Sequence, residues 1–213
     1  MVASILKFMH TVVYNEEVRP IFTERMQIVF EKLIYPNIVI TENDLEQFEN
    51  SPDVYISNDL EEADTETRRR NCINLIHSLT KNFPINTVVM QIVQTELSKY
   101  QQNPKANWAS KVNVINFLIG AHAVQYTLRT GAINITASPE ELTELLKSCV
   151  FPELEKVDDI SNESIFIKAA CIKYIFIFRN HIPTEWIMVL LYIQNNIPIA
   201  TSIEISSVNK ASK

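Results

Sequence analysis

The chain has 213 residues, a net charge of −6 and a hydrophobic content of 46%, which is enough to build a sizeable core. The acidic balance argues against nucleic acid as the main partner, and no apolar run reaches the roughly 18 residues of a membrane span. Only two glycines are present, so architectures that depend on tight turns or phosphate-cradling loops are disfavoured.

Apolar residues recur at helical spacing along most of the chain, and the predicted helices come in consecutive pairs. The second helix is expected to end before Pro36, because a proline just beyond the last apolar turn is a common stop signal. Ser138-Pro139-Glu140-Glu141 predicts a helix start, with a capping serine, a proline and acids in the first turn. The third pair is expected to loosen between Gly120 and Gly131. The predicted pairs are residues 3–14 with 18–34, 66–82 with 86–101, 107–120 with 138–150, and 165–178 with 185–194.

The first helices of these pairs restart near residues 3, 66, 107 and 164, a spacing close to the roughly 40–47 residues of HEAT-type repeats. One such hairpin cannot bury its apolar face alone and must stack on its neighbours. We therefore predict an all-α fold, an α-solenoid of about four HEAT-type helical hairpins in which residues 1–213 form a single segment. Neither end resembles a polar cap, so we expect a piece of a longer solenoid.

Residues 36–64 interrupt the helical pattern and are predicted to form an acidic insertion between the first and second hairpins. Ten carboxylates lie between Glu42 and Glu66, and no Lys, Arg or His lies between Leu33 and Thr67. Thr41, followed by Asp44, is expected to cap a short helix with Phe48 on its apolar edge. Pro52, Tyr55 and Ile56 suggest a second short turn that docks by its aromatic ring. The rest of the stretch is interpreted as loop.

This acidic segment is either a solvated loop or a surface for a basic partner, which it would attract in a salt-dependent way. A calcium site is excluded because the stretch contains no glycine for the required turn. The three arginines that follow are expected to pair with the loop carboxylates, since cations are unfavourable at a helix N-terminus. The candidate binding residues are Asp44, Glu46, Glu49, Asp53, Tyr55, Asp59, Glu61, Glu62 and Asp64, closed by Arg68, Arg69 and Arg70.

Nothing in the sequence predicts an enzyme. The four histidines have no ligand spacing to one another or to cysteine, so we expect no metal and no cofactor. Cys72, Cys149 and Cys171 are widely spaced in apolar helices, which predicts small buried thiols in a reducing compartment.

Several short motifs occur in a fixed order along residues 18–194. The resemblance rests on Pro36-Asn37, Asp44 to Phe48, Pro52, Tyr55-Ile56, Asp59-Leu60-Glu61, Asp64 to Arg70, Asn103-Pro104, Asn107-Trp108 with Lys111, Phe151 to Leu154, Lys168 to Ala170 and Lys173 to Asn180. Together they resemble the central region of the CAS-type exportins, the importin-α re-exporters of the importin-β superfamily. The chain departs from that pattern at Ser57-Asn58, where basic residues are usual, and at Glu62, where glycine is usual.

The resemblance implies a HEAT-repeat receptor that binds Ran-GTP together with importin-α and shuttles between nucleus and cytoplasm. It also implies that the acidic insertion touches Ran and cargo, and that no catalysis, nucleic-acid binding or membrane insertion is involved. Two alternatives stay open from the sequence. One is an import receptor of the same superfamily with other cargo, and the other is a helical scaffold with no GTPase partner.

Overall fold

A computed structural model describes residues 2–60, 68–127, 130–183 and 186. The first hairpin and the acidic segment contain α1 (Val2–Val12), α2 (Arg19–Ile28), α3 (Tyr35–Ile38), α4 (Glu42–Asn50) and α5 (Pro52–Leu60). The remaining described helices are α6 (Arg68–Asn82), α7 (Asn86–Gln102), α8 (Trp108–His122), α9 (Pro139–Leu145), α10 (Phe151–Leu154) and α11 (Asn162–Phe178). Among the described residues, no helix combines the length and apolar character needed to cross a bilayer.

The helices stack as hairpins, as the sequence predicts. α6 packs between α1 and α8, and α8 packs in turn on α11, so these four helices form one continuous layer. The second layer is built by α3 against α6, α7 against α8, and α10 against α11. The expected all-α solenoid is confirmed. The predicted helix starts at Asn86, near Asn107 and at Ser138 agree with the structure, whereas the start expected at Asp64 or Thr65 and most of the helix 185–194 lie outside the described residues.

The core runs through the first layer. In α6 the apolar residues at spacings of three and four are fully buried, namely Cys72, Leu75, Ile76 and Leu79. α11 is buried on more than one side, as its nearly uniform apolar character predicts. All three cysteines are buried free thiols, and burial raises the pKa of Cys72 and of Cys171 to about 12. The expectation of small buried thiols is confirmed.

The helix that was expected to end before Pro36 continues through it. α2 passes into a π-helical turn, Val29–Ile34, and then into α3, which contains Pro36. The same succession of α-helix, π-turn and proline-containing α-helix recurs later in the chain. There α9 passes into the π-turn Leu146–Val150 and then into α10, which contains Pro152. A proline ring in a regular helix clashes with the carbonyl four residues earlier. The wider π-turn shifts the carbonyl partners by one residue, and this accommodates each proline without ending the helix.

The stretch expected to loosen between Gly120 and Gly131 is instead helical up to His122 and then forms a β-hairpin. β1 (Ala123–Thr127) pairs antiparallel with β2 (Gly131–Ile135). Gly131 starts β2 with φ of +73°, a conformation that glycine adopts without strain. The hairpin packs on α6 and α11, so this local strand pair is held within the helical solenoid.

Candidate functional site

The acidic segment begins with a capping box at the start of α4. The Thr41 hydroxyl oxygen accepts a hydrogen bond from the Asp44 amide at 3.4 Å, and the Asp44 carboxylate accepts one from the Thr41 amide at 2.8 Å. These bonds satisfy two of the amides that a helix start otherwise leaves without partners. The predicted cap at Thr41 and the short helix after it are confirmed. Residues 57–60, which were interpreted as loop, instead belong to α5.

An aromatic cluster docks the acidic segment onto the solenoid. The Phe48 ring, 2% exposed, packs against Phe166 of α11 with centroids 4.8 Å apart. Tyr55 contacts the same Phe166 ring at 5.1 Å, and Trp108 contacts it from the start of α8 at 5.4 Å. Tyr55 therefore docks by its ring, as the sequence predicts. Burial of these rings supplies the main apolar attachment between the segment and the later hairpins.

Arg68 and Arg69 pair with carboxylates in the described part of the segment. The Arg68 guanidinium lies 3.3 Å from Asp44, and Arg69 lies 2.9 Å from Asp44 and 3.5 Å from Asp59. Arg69 also donates a hydrogen bond to the Tyr55 hydroxyl at 3.0 Å. The expected pairing between arginines and carboxylates is thus present for Arg68 and Arg69. Arg70 is half-buried at the same helix start.

The same arginines also cap the end of α3. Arg69 Nε donates to the carbonyl of Ile38 at 3.2 Å, and Arg68 donates to the carbonyls of Pro36 and Val39 at 3.4 Å. The last carbonyls of a helix have no partner inside it and carry partial negative charge. The arginines at the start of α6 are therefore compensated by a helix C-terminus as well as by carboxylates.

Lys173 of α11 completes the network, and the sequence did not identify it as a partner of the segment. Its ammonium lies 2.9 Å from Asp59, across 114 residues of chain. Burial acts to raise the pKa of Asp59, but the charges of Lys173 and Arg69 outweigh it and hold that pKa below its usual value. The available signal was a lysine in the middle of a helix that is apolar nearly all round, where a buried cation needs a counter-charge.

The candidate binding residues that the structure describes fall into two groups. Asp44, Tyr55 and Asp59 face the solenoid and take part in internal contacts. Glu46, Glu49 and Asp53 are exposed, as is the neighbouring Glu42. The remaining candidates, Glu61, Glu62 and Asp64, lie outside the described residues. We define the outer acidic face as Glu42, Glu46, Glu49 and Asp53.

Two further buried carboxylates have internal partners in other hairpins. Glu96 accepts from the Tyr35 hydroxyl at 2.9 Å and from the Asn113 amide at 3.0 Å. Glu153 accepts from the Tyr100 hydroxyl at 2.9 Å and lies 3.6 Å from the Lys111 ammonium. Both carboxylates link neighbouring hairpins. Within the part of the chain that the structure describes, no group of three or more metal-ligating side chains comes together.

The geometry defines a helical-repeat segment with a helical acidic element docked on one side and carboxylates directed to solvent. The Cse1 family model matches residues 1–204 of this chain, and the chain belongs to the Cse1 family.

Relatives are identical to this chain at about a third of the aligned positions. Exportin-2 of Drosophila melanogaster is 34% identical over 184 residues, which cover 84% of this chain and 19% of the relative. Exportin-2 of Homo sapiens is 32% identical over 195 residues, 89% of this chain and 20% of the relative. The solved structure of the exportin Cse1 in its cargo-free, cytoplasmic state aligns with a TM-score of 0.83 at 23% identity, covering 94% of this chain and 22% of that one. The chain thus spans about a fifth of the length of these relatives.

Proposed function

We propose that this chain is part of a nuclear export receptor that binds Ran-GTP together with importin-α and carries importin-α from the nucleus to the cytoplasm. Membership of the Cse1 family supports the receptor class, because its relatives are exportins. Such a receptor acts by binding and release, shuttles between the two compartments and needs no catalytic group of its own.

The outer acidic face is the feature of this chain that supports the proposal of partner binding. Its four carboxylates are exposed, and no Lys, Arg or His lies between Leu33 and Thr67 to neutralise them. The inner carboxylates Asp44 and Asp59 are already paired, so among the described residues the exposed charge is the part without an ion-pair partner. Because α4 is capped and docked through Phe48, the charges of Glu42, Glu46 and Glu49 lie on a fixed helix, which lowers the entropy cost of binding. Asp53 lies next to them in the first turn of α5. A basic surface on Ran or importin-α would be attracted to this face.

Co-precipitation with the purified 213-residue chain tests the proposal. The chain should retain importin-α in the presence of Ran-GTP and release it with Ran-GDP. Retention that Ran-GTP disrupts would instead favour an import receptor. Failure to retain either protein at any nucleotide state would contradict binding by this chain.

A charge-removal variant tests the outer acidic face. Neutralising its four carboxylates should weaken the ternary complex on the order of tenfold at low salt and much less at high salt, because salt screens exposed charges. Circular dichroism should show unchanged helicity. A control variant removes the same charge at exposed carboxylates elsewhere. The variant is Glu42→Gln, Glu46→Gln, Glu49→Gln and Asp53→Asn, and the control is Glu16→Gln, Glu24→Gln, Glu144→Gln and Glu155→Gln. Equal affinities of the two variants would rule out this face as the contact.

A further inference from the structure

Ser51 is the only residue between α4 and α5, which end at Asn50 and begin at Pro52. Its side chain is exposed, and so are Pro52 and Asp53 on its C-terminal side. Its hydroxyl donates a hydrogen bond to the carbonyl of Asn50 at 2.7 Å. Among the described residues, this bond to the adjacent residue is the hydrogen bond that the hydroxyl makes. The hydroxyl is therefore accessible, and breaking its hydrogen bond disturbs only the adjacent carbonyl. Ser51 also stands directly before a proline.

We propose that Ser51 is a phosphorylation site for serine/threonine kinases that require proline after the acceptor, and that the modification strengthens binding by the outer acidic face. In this step the Ser51 oxygen attacks the γ-phosphorus of ATP. The new O–P bond forms as the bond to the β–γ bridging oxygen breaks, ADP leaves, and a base of the kinase takes the hydroxyl proton.

The junction can accommodate a phosphate. Ser51 directs its side chain to solvent, and its carbonyl already accepts the Tyr55 amide at 3.0 Å as the first bond of α5. The amides of Asp53 and Val54, in the first turn, have no acceptor within their own helix. Val54 is 59% exposed and Asp53 is also exposed, so the first turn of α5 lies at the surface. A phosphate on Ser51 would add oxygen acceptors at this point without displacing a packed side chain.

The chain contains one other serine that precedes proline, and its environment differs. The Ser138 hydroxyl oxygen accepts a hydrogen bond from the Glu141 amide at 3.1 Å and so caps α9. Modification of Ser138 must replace that cap, whereas modification of Ser51 breaks a bond to the adjacent carbonyl alone. Of the two, we assign Ser51 as the preferred acceptor.

The effect on binding rests on the proposed function. A phosphate adds roughly −1.5 to −2 charges at neutral pH, between Glu49 and Asp53 of the outer acidic face. The attraction of this face for a basic partner should rise with its charge. We expect the ternary complex with Ran-GTP and importin-α to tighten about threefold to tenfold at low salt, with the gain lost at high salt.

The first experiment tests the acceptor. The folded 213-residue chain is incubated with ATP and a purified mitogen-activated protein kinase, which acts before proline, and the phosphate is located by mass spectrometry. Phosphate should accumulate on Ser51 faster than on Ser138 and be absent from the Ser51→Ala variant at that position. The Ser138→Ala variant should still be modified at Ser51. If a synthetic peptide of residues 46–56 is modified but Ser51 of the folded chain is not, the fold hides the site and the proposal is wrong. It is equally wrong if neither is modified.

The second experiment tests the consequence. Affinity for Ran-GTP and importin-α is measured for phosphorylated and unphosphorylated chain at low and high salt. Tighter binding of the phosphorylated form at low salt is expected, and equal or weaker binding would overturn the regulatory role. If neither form binds, the proposed export function fails while phosphorylation of Ser51, established separately, stands.

Discussion

His77 is a buried residue whose lowered pKa makes the stability of the solenoid depend on pH. It lies in α6 and is 7% exposed. Burial is the largest influence on the pKa of His77 and lowers it to about 3. In the unfolded chain histidine binds its proton near pH 6.5. Between about pH 6.5 and pH 3, the unfolded state therefore binds a proton at His77 that the folded state does not.

This difference predicts an acid-sensitive stability. The free energy of unfolding should fall as pH falls below 6.5, with His77 contributing at most about 1.4 kcal/mol per pH unit. His77→Gln keeps a hydrogen-bonding side chain but does not titrate, so its stability should fall less steeply between pH 6.5 and 4.5. Urea unfolding at the two pH values measures the slope. Identical slopes for the variant and the wild type would show that His77 is not the titrating group.

At the scale of helices, the crossing of α6 and α8 depends on a glycine. A Cβ at Gly120 would lie 3.1–3.2 Å from side-chain atoms of Ile76, and Ile76 is fully buried. Such contacts are shorter than the normal separation of packed carbon atoms. The two helices can approach this closely only because α8 has no side chain at the crossing.

Gly120→Ala should therefore destabilise the protein by about 1–3 kcal/mol through overpacking, although alanine is the better helix former by about 1 kcal/mol. Chemical denaturation measures the change. Ile76→Val removes one methyl group at the contact. The double variant should be less destabilised than the sum of the two single variants, because the substitutions share one contact. Simple additivity would contradict the proposed clash.

The sequence predicted most elements but missed two kinds of local structure. Helix starts at Thr41 and Ser138 follow from capping chemistry, which depends only on neighbouring residues. The continuation through Pro36 depends on a π-turn, and no residue in Val29–Ile34 specifies such a turn in advance. Helical periodicity does not predict the β-hairpin, although the β-branched residues Ile133, Ile135 and Thr136 follow Gly131.

At the scale of the whole molecule, the acidic segment makes two sets of contacts. One set is with residues nearby in the sequence, and the other is with the distant helix α11. The pairing of Arg68 and Arg69 with nearby carboxylates could be predicted, since helix-start cations need compensation close by. The attachment to Phe166 and Lys173 of α11 could not, because it depends on how the later hairpins stack. That stacking places Lys173 against Asp59 across 114 residues. The orientation of the outer acidic face is thus coupled to the packing of α11.

This coupling predicts which part of the molecule loosens when the ion pair is removed. Lys173→Met keeps the long side chain but leaves Asp59, whose side chain is 30% exposed, with Arg69 as its remaining ion-pair partner among the described residues. Loss of one partner from a largely buried pair is destabilising, so α5 should open more often from the solenoid. Its backbone amides should exchange with deuterium about tenfold faster, the equivalent of about 1.4 kcal/mol in local opening. Amides of α1, which does not touch this network, should exchange at the wild-type rate.

The matched control is Lys105→Met, which removes the same charge at an exposed position and should leave exchange in α5 unchanged. Faster exchange throughout the chain in Lys173→Met would mean that Lys173 supports global stability and does not specifically hold the segment. Unchanged exchange in α5 would mean that Phe48, Tyr55 and Arg69 suffice to hold it. Only a local increase fits a segment whose position is set by its contacts with the last described helix.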